Sequence, residues 1–171
     1  MKIFLTGFSG SGKSFLGKAV ASQLIIPFYD TDELIAAETG STVGEIFKLK
    51  GEDYFRTKES EVLRSVAPKK KALISTGGGM PCFNDNMDWM NANGITVFLE
   101  ASAAFLFHRL VKDKKSRPLL AGLSDIELMI YITETLAART PDYKKSQLTV
   151  NAETITAAKL ISAMRKKFPE L

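Results

Sequence analysis

Five short apolar runs punctuate the 171-residue chain, at positions 3–6, 28–30, 72–76, 95–99 and 148–150, each bounded by Gly, Pro, Asn or charge. Runs this short, apolar at successive positions rather than alternating, predict strands buried on both faces of a parallel sheet. Helical patterns lie between them. Leu16, Val20 and Leu24 recur at four-residue spacing, and Phe55, Val62 and Val66 form a second stripe. Thr42 with Glu45 and Ser124 with Glu127 read as capping boxes opening two helices, and Gly40 and Gly51 read as stops. Repeated strand-helix alternation predicts one α/β domain with helices on both faces of a five-stranded parallel sheet. In that architecture a ligand sits beyond the carboxyl ends of the strands, so the residues just after each strand carry the functional information.

Composition narrows the chemistry. A chain that is 45% hydrophobic and 25% charged has the balance of an ordinary soluble globular protein, and its length suits a single core. Cys82 is the only cysteine and His108 the only histidine, which excludes disulfide frameworks, multi-thiolate zinc sites and clustered-histidine metal sites. A Ser-His-Asp hydrolase would rest on His108 alone. His108 reads as a helix-surface histidine and Cys82 as a buried thiol. No uncharged stretch approaches the ~18 residues that span a bilayer, so no membrane association and a cytoplasmic location are expected. The net charge of +4 gathers in short basic runs at 69–71, 112–117 and 165–167. Such runs are either solvated faces or contacts for polyphosphate or nucleic acid, and position has to decide between them.

After the first strand, Gly7-Phe-Ser-Gly-Ser-Gly12-Lys13-Ser14 matches GxxxxGK[ST] between a strand and a helix. Glycines let the backbone wrap a phosphate closely, successive N–H groups and the helix N-terminus supply positive potential, and Lys13 adds a mobile charge. Ser14 offers a hydroxyl to Mg²⁺. The motif points to a nucleoside triphosphate without saying what becomes of it.

Two further strand ends narrow the reaction. The third strand runs into Gly77-Gly78-Gly79, where a hydrolysing ATPase would place an acidic pair. The acids stand instead after the second strand, as Asp30 and Asp32. Carboxylates at i and i+2 point to different places, so one can reach a Mg²⁺ shell while the other faces an acceptor hydroxyl; alternatively Asp30 or Thr31 only caps the next helix. Three successive glycines allow close approach to a ligand, or form a turn.

With these motifs in order, the sequence resembles the shikimate kinases, small P-loop kinases of aromatic amino-acid biosynthesis related to the nucleoside monophosphate kinases. The resemblance covers essentially the whole chain. It rests on GFSGSGKS at 7–14, DTD at 30–32, Ile46-Phe47 followed by Gly51-Glu-Asp-Tyr-Phe55-Arg56 and Glu59, GGG at 77–79, Arg117-Pro-Leu-Leu-Ala-Gly122 and Arg139-Thr-Pro141-Asp-Tyr143. It implies a three-layer P-loop kinase fold over 1–171 with strand order 2-3-1-4-5, a substrate-binding region near 31–60 and a lid near 111–122. It implies a phosphotransferase that moves the γ-phosphoryl group of ATP to the 3-hydroxyl of shikimate, with Mg²⁺. No nucleic-acid partner is expected, and nothing in the sequence demands more than a monomer.

Residue by residue, the resemblance places ATP on Gly10, Ser11, Gly12, Lys13, Ser14, Phe15, Arg109 and Arg117, and Mg²⁺ on Ser14 and Asp30. It places shikimate on Asp32, Arg56, Gly77, Gly78, Gly79 and Arg139, and catalysis on Lys13, Asp32 and Arg117. Arg56 would hold the carboxylate with Glu59 orienting it, a task that suits the planar guanidinium fork. From the residues alone, Arg56 and Glu59 at i and i+3 also fit a surface salt bridge, and Arg139 fits a helix C-terminal cation. Two other functions stand beside this one: a kinase for another small acceptor such as gluconate or a nucleotide, and a nucleotide-binding module without catalysis. The segment 150–155 carries neither the Arg nor the Pro found in the adenine loop of many shikimate kinases, which leaves nucleotide preference open.

Overall fold

The computed structural model of the chain describes residues 1–114 and 120–170. Five parallel strands, β1 (Lys2–Thr6), β2 (Phe28–Asp30), β3 (Ala72–Ser75), β4 (Ile95–Glu100) and β5 (Leu148–Asn151), form one sheet in the order β2-β3-β1-β4-β5. Each predicted run became a strand with ends within one residue. The sheet alternates its side chains between two layers. Ile3, Leu5, Leu73, Val97 and Leu99 pack with α1 (Lys13–Leu24) and α7 (Ala157–Lys167) on one face. Phe4 and Ile74 pack on the other against α3 (Val43–Ser65) and α4 (Asn86–Asn93), and Phe98 packs against α5 (Ala103–Asp113) and α6 (Asp125–Tyr143). α2 (Thr31–Thr39) follows β2 directly. Parallel β1 and β3 lie side by side, with Leu5 opposite Ser75, so the loops after them open at the same sheet edge.

Local signals explain the helix ends. Both capping boxes formed: the Thr42 and Ser124 hydroxyls accept from the backbone N–H of Glu45 and Glu127, whose carboxylates reach back to the cap. Gly40 ends α2 in the left-handed region. Gly51 acts differently from a simple stop. Its backbone (φ 81°, ψ 174°) breaks α3 into two helical halves, and the helix resumes at the next residue. Gly17 faces the sheet, where a Cβ would come within 2.7 Å of the Phe28 ring, so α1 lies close over β2 and β3. His108 is exposed on α5 as expected; Cys82 is half-buried, and burial pushes its thiol up to about 11.

Candidate active site

The loop after β1 is a cradle. Gly7, Gly10 and Gly12 all take positive φ, which turns the chain around a central hollow before α1 begins at Lys13. The Lys13 ammonium donates to the carbonyl oxygens of Gly7 and Phe8, 2.8 and 2.9 Å away, and so arches back over the loop. Ser11, 2% exposed, carries the one buried side-chain oxygen without a hydrogen-bond partner among the described residues. A buried hydroxyl left unsatisfied in a glycine-walled hollow at a helix N-terminus fits an anionic guest such as a phosphate chain. Phe15 stands 82% exposed at the rim, Arg109 is exposed on α5 with its guanidinium beside Gly12, and both line the same cavity of about 280 Å³.

Asp30 caps α2, one of the two tasks its position suggested, and also meets Ser14. One carboxylate oxygen accepts from the backbone N–H of Asp32 at 3.0 Å and caps α2, while the other accepts from the Ser14 hydroxyl at 2.5 Å. Hydroxyl and carboxylate together form a small hard-oxygen pair beside the phosphate cradle. Such a pair fits Mg²⁺, which takes one or two protein oxygens and fills its octahedron with phosphate and water.

A second cavity of about 240 Å³ lies beside the first, walled by Asp32, Phe47, Arg56, Glu59, the three glycines and Arg139. Asp32 and Glu59 flank Gly77 so closely that a Cβ there would sit 2.8 Å from a carboxylate oxygen of each. Gly79 lies against Arg56, where a Cβ would come within 2.5 Å of Nη1. These glycines therefore serve close approach rather than turn geometry. Thr31 accepts from the Gly77 N–H and Tyr143 donates to the Gly78 carbonyl, which pins the glycine run to α2 and α6.

Charge in this cavity is dense, and its Arg56–Glu59 pair is buried. Arg56 Nη1 donates to Glu59 at 2.7 Å, and its Nε and Nη2 donate to Glu52. The pair is no surface salt bridge: Glu59 is 1% exposed. Burial, with some help from nearby Asp32, pushes the Glu59 carboxyl up to about 7 against the pull of Arg56 and Arg139. Burial also opposes the charge of Arg56, but its two acidic partners outweigh that and hold it above its usual range. Burial raises the Tyr143 hydroxyl too, so it stays a neutral donor.

The structure brings together every site residue expected from the sequence except Arg117, which lies outside the described residues along with the rest of 115–119, the end of the basic run 112–117. Lys114, from the basic run 112–117, donates to the Leu123 carbonyl and to the Asp125 carboxylate. Phe8, Ser9, Tyr131 and Leu120 also line the second cavity; Phe8 and Ser9 lie in the phosphate loop and Leu120 in the segment 117–122, but no pattern had assigned any of the four to the acceptor. Ser9, Asp32 and Gly78 line both cavities.

A glycine cradle for phosphates, a hard-oxygen pair beside it and an adjoining pocket with two arginines define a P-loop kinase for a small anionic acceptor. Comparison with known proteins agrees. The family model described as shikimate kinase matches residues 9–168. A shikimate kinase of Bacteroides thetaiotaomicron is 44% identical over the whole chain and 98% of its own length. A 1.7 Å crystal structure of shikimate kinase from that organism superposes with a TM-score of 0.92 over 100% of this chain and 99% of that one, at 42% identity. The shikimate kinase of Acinetobacter baumannii, solved in complex with shikimate, gives 0.88 at 29% identity over 99% and 93%. The chain belongs to the shikimate kinase family, kinases that transfer phosphate to shikimate.

Proposed function

We propose that residues 1–171 act as one catalytic unit, with a substrate-binding region near 31–60 and a lid near 111–122, moving the γ-phosphoryl group of ATP to the 3-hydroxyl of shikimate. The observation that carries this reading is the meeting of the two cavities at Ser9, Asp32 and Gly78. A nucleotide in the cradle directs its terminal phosphate toward that junction, and an acceptor in the second cavity presents a hydroxyl to it. Gly10 to Phe15, Arg109 and Arg117 hold the nucleotide. Arg56 and Arg139 hold the acceptor carboxylate, and Gly77, Gly78 and Gly79 let its ring approach the backbone.

In the transfer, the acceptor oxygen bonds to phosphorus as the bond to the bridging β,γ oxygen breaks, leaving ADP. The transition state is loose, so late loss of the hydroxyl proton needs little base strength; Asp32 orients the hydroxyl and takes the proton or passes it to water. Lys13 and Arg117 compensate charge on the transferring group. Ser14 and Asp30 are the residues that would hold Mg²⁺, which when bound screens the phosphate charge. Among the described residues no helix is long and apolar enough to cross a membrane. A monomeric cytoplasmic enzyme with no nucleic-acid partner suits this small-molecule chemistry.

The test is ADP release in a coupled assay with Mg-ATP and shikimate, run beside gluconate and a nucleoside monophosphate as acceptors. Turnover with shikimate alone is expected. Turnover only with another acceptor would reassign the second cavity, and none with any would leave a nucleotide-binding module.

A further inference from the structure

Arg56 is gripped from two sides, and only one grip is part of the cavity wall. Glu59, buried, takes Nη1. On the opposite side Glu52 Oε1 accepts from both Nε at 3.0 Å and Nη2 at 2.8 Å, with its own side chain 54% exposed. Glu52 does not line the acceptor cavity. Phe83 also packs on the guanidinium, its ring centre 4.1 Å from Cζ. Its Nη1–Nη2 end points at Gly79 in the cavity wall, since a Cβ there would meet Nη1 at 2.5 Å and Nη2 at 2.9 Å but Cζ only at 3.0 Å.

We infer that Glu52 is a positioning residue for substrate recognition: it holds the side edge of the Arg56 guanidinium from the solvent side so that the Nη end stays aimed into the acceptor cavity. Glu59 on one nitrogen leaves the group free to pivot about that contact; a second carboxylate on the Nε edge removes the pivot, and a carboxylate substrate then meets a fork already oriented. The chain builds this grip with the break at Gly51. Glu52 starts the second helical half of α3, so its carboxylate stands in a first turn favoured by the helix dipole and one helical turn before Arg56. The inference deepens the assignment of Arg56 to the acceptor carboxylate and rests on it.

Steady-state kinetics of Glu52→Ala, Glu52→Gln and Arg56→Ala, and of the Glu52→Ala/Arg56→Ala pair, test it. Glu52→Ala is expected to raise KM for shikimate about twofold to fivefold, as loss of a partly exposed ion pair would. The change should fall on that KM and not on kcat or on KM for ATP. Glu52→Gln, which keeps an acceptor oxygen, should recover part of it, and Glu52→Ala should add nothing once Arg56 is alanine. A KM that is unchanged or lowered in Glu52→Ala, or an equal rise in the Arg56→Ala background, overturns the inference. If Arg56→Ala itself leaves KM for shikimate unchanged, the carboxylate assignment fails first.

Discussion

The Ser14 hydroxyl donates to the Asp30 carboxylate across 2.5 Å, tying the first turn of the helix after the phosphate cradle to the end of β2. The same Asp30 caps α2 through the Asp32 N–H, so one side chain holds the Ser14 hydroxyl, as the pair proposed to bind Mg²⁺, and also fixes the backbone that presents Asp32.

These two duties separate by substitution. Asp30→Asn keeps a cap acceptor but loses the charge, and is expected to lower kcat at least tenfold while changing thermal stability little. Asp30→Ala should lose as much activity and also about 1 kcal/mol of stability with the cap. Calorimetric unfolding beside Mg²⁺-dependent kinetics checks both; equal stability of the two variants would mean the cap contributes nothing.

Arg56→Ala and Arg139→Ala should each raise KM for shikimate by one to three orders of magnitude, the effect of losing a charged hydrogen-bond partner worth ~1.5 to 4 kcal/mol. KM for ATP should move far less in both. An unchanged shikimate KM would place the carboxylate elsewhere.

Gly79 has an ordinary backbone (φ −87°, ψ −20°), so replacing it by alanine introduces no strain of its own. The new methyl would nevertheless meet Arg56 Nη1 at 2.5 Å, and that guanidinium is held by Glu52, Glu59 and Phe83. Gly79→Ala is therefore expected to raise KM for shikimate roughly tenfold or more, consistent with a lost charged contact, with KM for ATP nearly unaltered. A variant with wild-type shikimate kinetics would show that Arg56 can shift without consequence.

The raised Glu59 pKa makes the stability of the ligand-free protein depend on pH in a defined window. Its carboxyl titrates near 4.5 when the chain is unfolded and at about 7 in the fold, so between these values the folded state binds the extra proton. Its contribution is fully present below about 4.5 and is lost as pH rises through 7. Glu59→Gln has no such proton, so the melting temperature of wild type minus that of Glu59→Gln should fall from pH 4.5 to pH 7 and then level off. A difference independent of pH across that range would show that Glu59 ionises normally.

Strand runs, capping boxes and the GxxxxGKS loop were legible in the sequence because each is set by neighbours within a few residues: periodicity, a cap three positions from its partner, glycines that permit a tight turn. DTD and GGG were legible as ligand-facing because parallel strands bring the segments at their carboxyl ends to one edge of the sheet, whereas Arg56 and Arg139, which lie on helices, were marked as ligand-facing only by the family resemblance. The strand order came from family resemblance rather than from the pattern, and the tertiary structure bears it out. What local pattern could not decide was anything set by distance in space. Arg56 and Glu59 at i and i+3 look alike as a surface pair or a buried one; only the packing of α3 against the sheet takes Glu59 out of water and moves its pKa. The glycines at 77 and 79 look like a turn until Asp32, Glu59 and Arg56 arrive from other elements to fill the space a Cβ would need. Tyr131 carried no local signature, and Glu52, Phe8 and Ser9 stood inside motifs that did not reveal their parts at the acceptor cavity, because those parts come from the groups that the fold sets opposite them. The sequence by itself determined the elements and the chemical groups at the strand ends; the tertiary structure decided which charges are buried, which partners grip Arg56, and that the two cavities meet at Asp32.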